Sequence, residues 1–443
     1  MNFQEDVNQI FSINKQCSFV PEFLNTLANA ELFLVGGSVR DMLIKRTMRE
    51  IDFDFVVRGL THEEIQAWFE TKGTLDFTGK QFGVFKFMPN GFNSKNIPFI
   101  DIALPRTEQS QTQSSGGYKE FDVQSDPTLP IKDDLSRRDF TINAMAINLQ
   151  TGELIDLFGG QQDLNEKEIK AVGNPDDRFR EDLSRMLRAI RFASELNFAI
   201  EPNTLEAIHN HIQKIQTKEN GEYIISRETV GLELAKALSG NPSAAGVWLE
   251  ISGALKALMP EVQPNAIERL QNVSPGNAQL AITLLLCDLS SEQAKNILLE
   301  TGLNSLPKHS TLRIDVDTVL WGIDRLHEAV SETWIQGMRA HKFEKCFMNG
   351  HGAFLFSLLE HTEKHAISKL AQERKSLIEK RWLIEPYEHI PTLVSGDDVL
   401  TAHTEPGPRI RQILEHIRDE QLEGKILTRE QAMKILKNQN EVT

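Results

Sequence analysis

Leu34-Val35-Gly36-Gly37-Ser38-Val39-Arg40-Asp41, followed by Ile51-Asp52-Phe53-Asp54-Phe55, holds the densest structural information in the chain. The first string reads as a buried strand end, a glycine turn and a helix over 38–45, with Ser38 placed to cap the helix and its free N–H groups open to an anion. The second reads as a short apolar strand. Its two carboxylates sit two residues apart, project from one face and can share a cation cluster. Strand, glycine turn, helix and carboxylate strand in that order describe a site for a metal-bound nucleoside triphosphate.

Working outward, Pro21 suits the start of a helix that continues through Phe23, Leu24, Leu27 and Ala28. Residues 61–72 have helical spacing in Ile65, Trp68 and Phe69, and 82–88 and 99–103 read as strands. Asp101 stands in the middle of the second of these, where a buried carboxylate is costly unless paired or beside a cation. It is either a third acid facing Asp52 and Asp54 or a structural partner for Arg106. From Pro105 to Asp134 the composition turns to Gln, Ser, Thr, Gly and Asp around Gly116-Gly117, which suggests a lid beside the active sheet.

Three further strings carry chemistry. Asp134-Leu135-Ser136-Arg137-Arg138-Asp139-Phe140-Thr141-Ile142-Asn143 puts two arginines ahead of a tightly packing segment. Arginine suits phosphate because its planar fork donates in pairs and keeps its charge. Leu154 to Leu164 reads as a strand, a Gly159-Gly160 turn and a helix start. In Glu181 to Ala193, Asp182, Arg185, Arg188 and Arg191 recur every three residues, forming a slanted row on one helix side opposite Leu183, Met186, Leu187 and Ile190. Beyond about residue 200 strand signals fade, and helical spacing dominates in 226–234, 248–260, 278–289, 312–330, 354–370 and 410–422.

The glycine turn and carboxylate strand resemble the head of the polymerase-beta nucleotidyltransferase superfamily. With the Arg-Arg-Asp and Glu-Asp-x-x-Arg strings they resemble the class II tRNA nucleotidyltransferase and bacterial poly(A) polymerase family. The resemblance is dense over 34–193, moderate to 260, thin to 390 and recognisable again to 427. It implies an α+β chain: a mixed-sheet head with helices (1–172), then an all-α neck (173–260), body (261–335) and tail (336–443). It implies Mg²⁺ on Asp52 and Asp54; Asp101 stays a candidate third catalytic acid. Gly37, Arg40 and Arg138 would hold the triphosphate, and Asn143 would order the site. Gly159 and Gly160 would form a joint between head and neck.

In such a site Asp182 and Arg185 read the incoming base, and Arg188 and Arg191 complete the nucleotide contacts. Cytosine and adenine both carry an amino group beside a ring acceptor, so one Asp/Arg pair accepts C and A and rejects U and G. The implied activity is addition of C, C and A from CTP and ATP to the tRNA 3′ end, with the tail holding the tRNA elbow. An A-adding specialist or a poly(A) polymerase shares every motif, and a catalytically inactive RNA-binding relative is the alternative from another class. Lys45-Arg46-Thr47-Met48-Arg49-Glu50 departs from the family's Pro-Lys/Thr-Asp lead into the carboxylate strand.

Composition fits this picture. The 443 residues are 40% hydrophobic and 25% charged, enough for two to four globular units. A formal net charge of −15 argues against a protein that coats nucleic acid indiscriminately, so an RNA partner must meet a local basic track. Cys17, Cys287 and Cys346 match no zinc or disulfide spacing, and the histidines at 351, 361 and 365 match no metal motif. No apolar run approaches the roughly 20 residues of a membrane span, and the start carries no basic signal segment. The expected setting is cytoplasmic, with no membrane or protein partner.

Overall fold

The computed structural model describes residues 3–27, 29–45, 52–76, 84–93, 99–110, 121–306, 312–382, 390–402 and 407–438. Residues 46–51, the Gly116-Gly117 pair and Pro406 lie outside the described residues. The chain forms two compact units, Met1–Pro260 with Glu300–Leu306, and Glu261–Leu299 with Pro307–Thr443.

In the first unit, helices α1 (Gln4–Ile13) and α2 (Val20–Thr26) precede strand β1 (Glu31–Val35), helix α3 (Gly37–Leu43) and strand β2 (Asp54–Arg58). Helix α4 (His62–Phe69) then leads to β3 (Gly73–Asp76), β4 (Val84–Pro89) and β5 (Ile100–Ala103). β6 (Arg106–Ser110) and β7 (Phe121–Ser125), helix α5 (Ile131–Ser136), β8 (Met145–Asn148), β9 (Leu154–Asp156) and helix α6 (Gly160–Glu166) complete the sheet-bearing part. Seven strands join in the order β3-β4-β5-β2-β1-β8-β9, with β2 and β5 parallel and the other pairs antiparallel. The sheet is therefore mixed, as the resemblance implies.

Alternation along β2 sorts the site from the core. Phe53 and Phe55 are buried and meet an aromatic cluster on one face, where Phe19 packs edge-on against Phe55, Phe69 and Phe87. Burying rings of this size is worth about 1.5–3 kcal/mol each. Because successive side chains point to opposite faces, Asp54 takes the other side. There Val56 packs with Phe33, Val35, Ala146 and Leu135 of α5. α4 enters through a capping box in which Thr61 and Glu64 bond each other's backbone N–H.

The described residues of the stretch from Pro105 to Asp134 carry regular structure that its composition does not announce. β6 and β7 pair as an antiparallel ribbon and α5 follows. Arg-Thr-Glu-Gln-Ser and Phe-Asp-Val-Gln-Ser carry too few apolar residues to show a strand period.

Helices then dominate: α7 (Pro175–Glu181), α8 (Ser184–Leu196), α9 (Pro202–His211), α10 (Arg227–Gly240), α11 (Pro242–Ile251) and α12 (Ala254–Leu258). The continuous helix expected over 181–193 is instead two. Asp182 is extended at φ −146°, ψ 105°, and its carboxylate accepts from Ser184 N at 2.8 Å, which starts α8 afresh. An aspartate competes with helical hydrogen bonds in this way. The expected 248–260 helix likewise breaks at Gly253, φ +78°.

In the second unit the expected 312–330 helix runs Val316–Glu328. The expected 354–370 helix is two, Gly352–His361 and His365–Trp382. A small core of Val394, Val399, Ile413, Ile417, Ile426, Ala432 and Leu436 closes the C-terminal helices Gly396–Ala402, Pro408–Leu422 and Arg429–Asn438. Among the described residues no helix is long and apolar enough to cross a membrane.

Candidate active site

The sheet order brings the acids together. Asp54 of β2 stands opposite Asp101 of β5 in register, and Asp101 stands opposite Lys86 of β4. Lys86 Nζ donates to both Asp101 oxygens at 2.6 and 2.8 Å. Asp101 is thus beside Asp54 and paired with Lys86. Asp52 lies just ahead of the strand and is more open than Asp54, though still partly shielded from water.

The carboxylates are crowded. Burial, and then Asp101, push the Asp54 carboxyl up to about 7, with Arg138 and Lys86 working against the rise. Asp52 is also raised, first by lost hydration and then by Asp41 and Asp101, while Lys236 of α10 and Lys86 oppose it. Both carboxylates thus combine lost hydration with like charges close by. A divalent cation would relieve that repulsion, so the donor set fits a hard metal with oxygen ligands. Lys86 and Lys236 were missed from the sequence. Lys86 left a signal, a lone cation between Phe85 and Phe87 in a strand; Lys236 left none.

The glycine turn meets these acids through Ser38. The helix α3 has Gly36 as its N-cap and no side-chain cap. Ser38 does not cap it; the hydroxyl donates to Asp52 O at 2.6 Å and accepts from Asp54 N at 3.0 Å. Gly36 adopts φ +68°, ψ −134°, a region close to glycine-only. A Cβ there would lie 2.5 Å from Arg138 Nη1 and 3.8 Å from Asp54 Oδ2. Arg138 therefore covers the turn, close to Asp54. At Gly37 a Cβ would meet only Arg40, at 3.5 Å or more.

Behind the turn runs a buried polar chain. Arg40, 6% exposed, donates from Nε to Asp41 at 2.8 Å and from Nη1 to Asn143 Oδ1 at 2.7 Å. Asn143 Nδ2 donates to Asp139 Oδ1 at 3.1 Å, and Arg188 Nε to Asp139 Oδ2 at 2.8 Å. Burial would raise Asp139, but Arg188 and Asn143 hold it far below the usual carboxylate range. Asp134 is fully buried and accepts from Arg137 at 2.7 Å and Arg138 at 3.1 Å. Those two guanidinia overcome burial and keep its carboxyl low.

The helix residues divide. Arg185 is buried, donating to Glu181 at 2.8 Å and to Arg137 O at 3.1 Å. Arg191 joins Glu233 of α10 and Glu195, away from the acid cluster's partners. Arg40, Arg185, Arg188 and Arg191 all bond protein groups in this structure. Gly159 is open, at φ +79°, whereas a Cβ on Gly160 would lie 2.2 Å from Thr141 O. Gly160 is a close-packing position beneath the Arg-Arg-Asp segment. The three cysteines are free and buried.

Comparison with known proteins agrees with this geometry. The poly(A) polymerase head domain model matches residues 32–170. The CCA-adding enzyme of Levilactobacillus brevis is 28% identical over 90% of this chain and 91% of its own length. Other CCA-adding enzymes reach 38% identity, over about half of their length, as in 46% of one of them. The fold is that of the Bacillus stearothermophilus CCA-adding enzyme solved in complex with CTP, at TM-score 0.69, 22% identity and 98% of each chain. The Thermotoga maritima CCA-adding enzyme complexed with tRNA shares it at TM-score 0.62, 21% identity and 99% of each chain.

Proposed function

We propose that this chain, which belongs to the tRNA nucleotidyltransferase and poly(A) polymerase family, adds C, C and A from CTP and ATP to the 3′ end of tRNA without a nucleic-acid template. The observation that carries the reading is the gathering of Asp52 and Asp54, whose carboxyls are raised, with Asp101 in register beside Asp54, next to a glycine turn covered by Arg138. Such a set suits nucleotidyl transfer, in which an RNA 3′-hydroxyl forms a bond to the α-phosphorus of a triphosphate, loses its proton and expels pyrophosphate.

In this reading Asp52 and Asp54 hold Mg²⁺, and Asp101 with Lys86 sets the charge beside them. Bound Mg²⁺ supplies a lowered hydroxyl pKa and neutralises charge on the leaving pyrophosphate. Arg138 and the Gly37 backbone hold the triphosphate. Asp182 and Arg185 choose the base, accepting from its exocyclic amine and donating to its ring acceptor. Arg40, Arg188 and Arg191 act from behind, keeping these groups in place. We divide the chain into head 1–172, neck 173–260, body 261–335 and tail 336–443, the last holding the tRNA elbow, and place the protein in the cytoplasm.

The test is incubation with Mg²⁺, labelled triphosphates and tRNA transcripts ending before CCA, after C and after CC. The expected result is C, C and A, then arrest. Addition of A to the CC-ending transcript alone would replace this reading with an A-adding specialist, and continued A on unrelated RNA with a poly(A) polymerase. No Mg²⁺-dependent incorporation on any substrate would overturn it in favour of an inactive RNA-binding relative.

A further inference from the structure

Helix α8 is seated on the Arg-Arg-Asp segment by three successive positions of one face. Arg185 Nη2 donates to Arg137 O at 3.1 Å. Arg188 Nε donates to Asp139 Oδ2 at 2.8 Å. Phe192 meets Phe140 edge-on, with ring centroids 5.9 Å apart at 82°. Residues 185, 188 and 192 are spaced i, i+3 and i+7, so they form one stripe. The segment they grip is tied to the glycine-turn helix through Asn143, which accepts from Arg40 at 2.7 Å and donates to Asp139 at 3.1 Å. The Arg40 guanidinium also lies 5.1 Å from the Phe192 ring centroid, with Arg188 at 5.4 Å and Arg191 at 3.8 Å.

Asn143 therefore joins α3 to the segment that α8 grips, and Phe192 of α8 meets an α3 guanidinium directly. Asn143 is a side-chain amide, which accepts and donates at once; no carboxylate or hydroxyl of its reach reproduces both bonds. Phe192 offers ring faces to guanidinia from both helices. We propose that Asn143 and Phe192 are positioning residues for base choice: they fix how α8 is seated on residues 137–140, and so where Asp182 and Arg185 stand relative to Asp52 and Asp54. Neither needs to touch the nucleotide. A pair that reads a base by hydrogen bonds discriminates only while it is held within a fraction of an ångström of its working geometry. Loosening the seat lets U and G in before it stops C and A.

This rests on the reading of Asp182 and Arg185 as the base-choosing pair, and the experiment separates the two. Single-nucleotide incorporation is measured with CTP and UTP on a tRNA transcript lacking CCA, for the wild type, Asn143→Ala, Phe192→Leu and Phe192→Tyr. The expected result is a CTP-to-UTP ratio of kcat/KM at least tenfold lower in N143A and F192L, with the KM for tRNA within about twofold of wild type. F192Y keeps the ring and retains the wild-type ratio. A purely structural role lowers both nucleotides alike and leaves the ratio unmoved; that result from folded N143A and F192L would overturn the proposal. A wild type with no preference for CTP would instead overturn the base-choosing pair itself. If N143A does not fold by circular dichroism, F192L against F192Y decides.

Discussion

Gly36→Ala should cost stability and triphosphate binding together, whereas Gly37→Ala, one residue on, should cost no stability. At Gly36 the backbone sits at φ +68°, ψ −134°, and holding a non-glycine residue in such a region costs about 1–3 kcal/mol. At roughly 2–4 °C per kcal/mol for a unit of this size, the melting midpoint should fall by about 2–12 °C. The new methyl would also stand 2.5 Å from Arg138 Nη1. The guanidinium is the flexible end of its side chain, so it yields and leaves its place over the turn. A several-fold weaker affinity for a fluorescent triphosphate analogue should accompany the lower midpoint. At Gly37 the φ is helical and the nearest atom to an added Cβ is Arg40 Nη2 at 3.5 Å, ordinary contact. Alanine in a helix is favoured over glycine by up to about 1 kcal/mol. Calorimetry and nucleotide titration of the two variants side by side check this. If G36A melted and bound like G37A, the account of the turn would be wrong.

Asp54→Asn should abolish incorporation yet raise the melting midpoint in EDTA at pH 8. The folded carboxyl is pushed up to about 7, above its unfolded value, so its charged form costs stability that grows from about pH 4 upward; near pH 4 variant and wild type should melt alike. Asp134 carries the opposite sign. Its folded carboxyl is held below the unfolded value, so its contribution is present above about pH 4 and is lost as pH falls through the folded value. Asp134→Asn should flatten the acid limb of the stability curve, and an unchanged limb in acid titration would refute the pairing. Gly160→Ala should destabilise far more than Gly159→Ala, because its Cβ meets the Thr141 carbonyl at 2.2 Å while Gly159 faces open space; comparative denaturant midpoints decide.

Much of the head was legible because glycine and period carry local information. Gly36-Gly37 between an apolar strand and a helix marks a turn whatever surrounds it, and Phe53 and Phe55 alternating with Asp52 and Asp54 announce which side faces the core. What could not be read was lateral order. Asp101 becomes a neighbour of Asp54 only because β5 inserts between β4 and β2, and no local pattern encodes that. The same holds for Lys86, whose pairing follows from strand register, and for Lys236, which arrives from a helix nearly two hundred residues away. The Asp182 break escaped notice because a three-residue spacing of charges reads smoothly through a position where the side chain has taken over a backbone hydrogen bond. Ser38 was recognised as a hydrogen-bonding residue but assigned the wrong backbone: it serves the neighbouring strand, not its own helix.

That small serine bond has a wider meaning. Because one hydroxyl bonds the backbone on both sides of Phe53, it ties the glycine turn to the carboxylate strand, alongside the ladder that pairs Leu34 with Phe55. Residues 45–50 depart from the lead that the resemblance implies, while the turn and the carboxylate strand are held to each other by bonds made outside those residues.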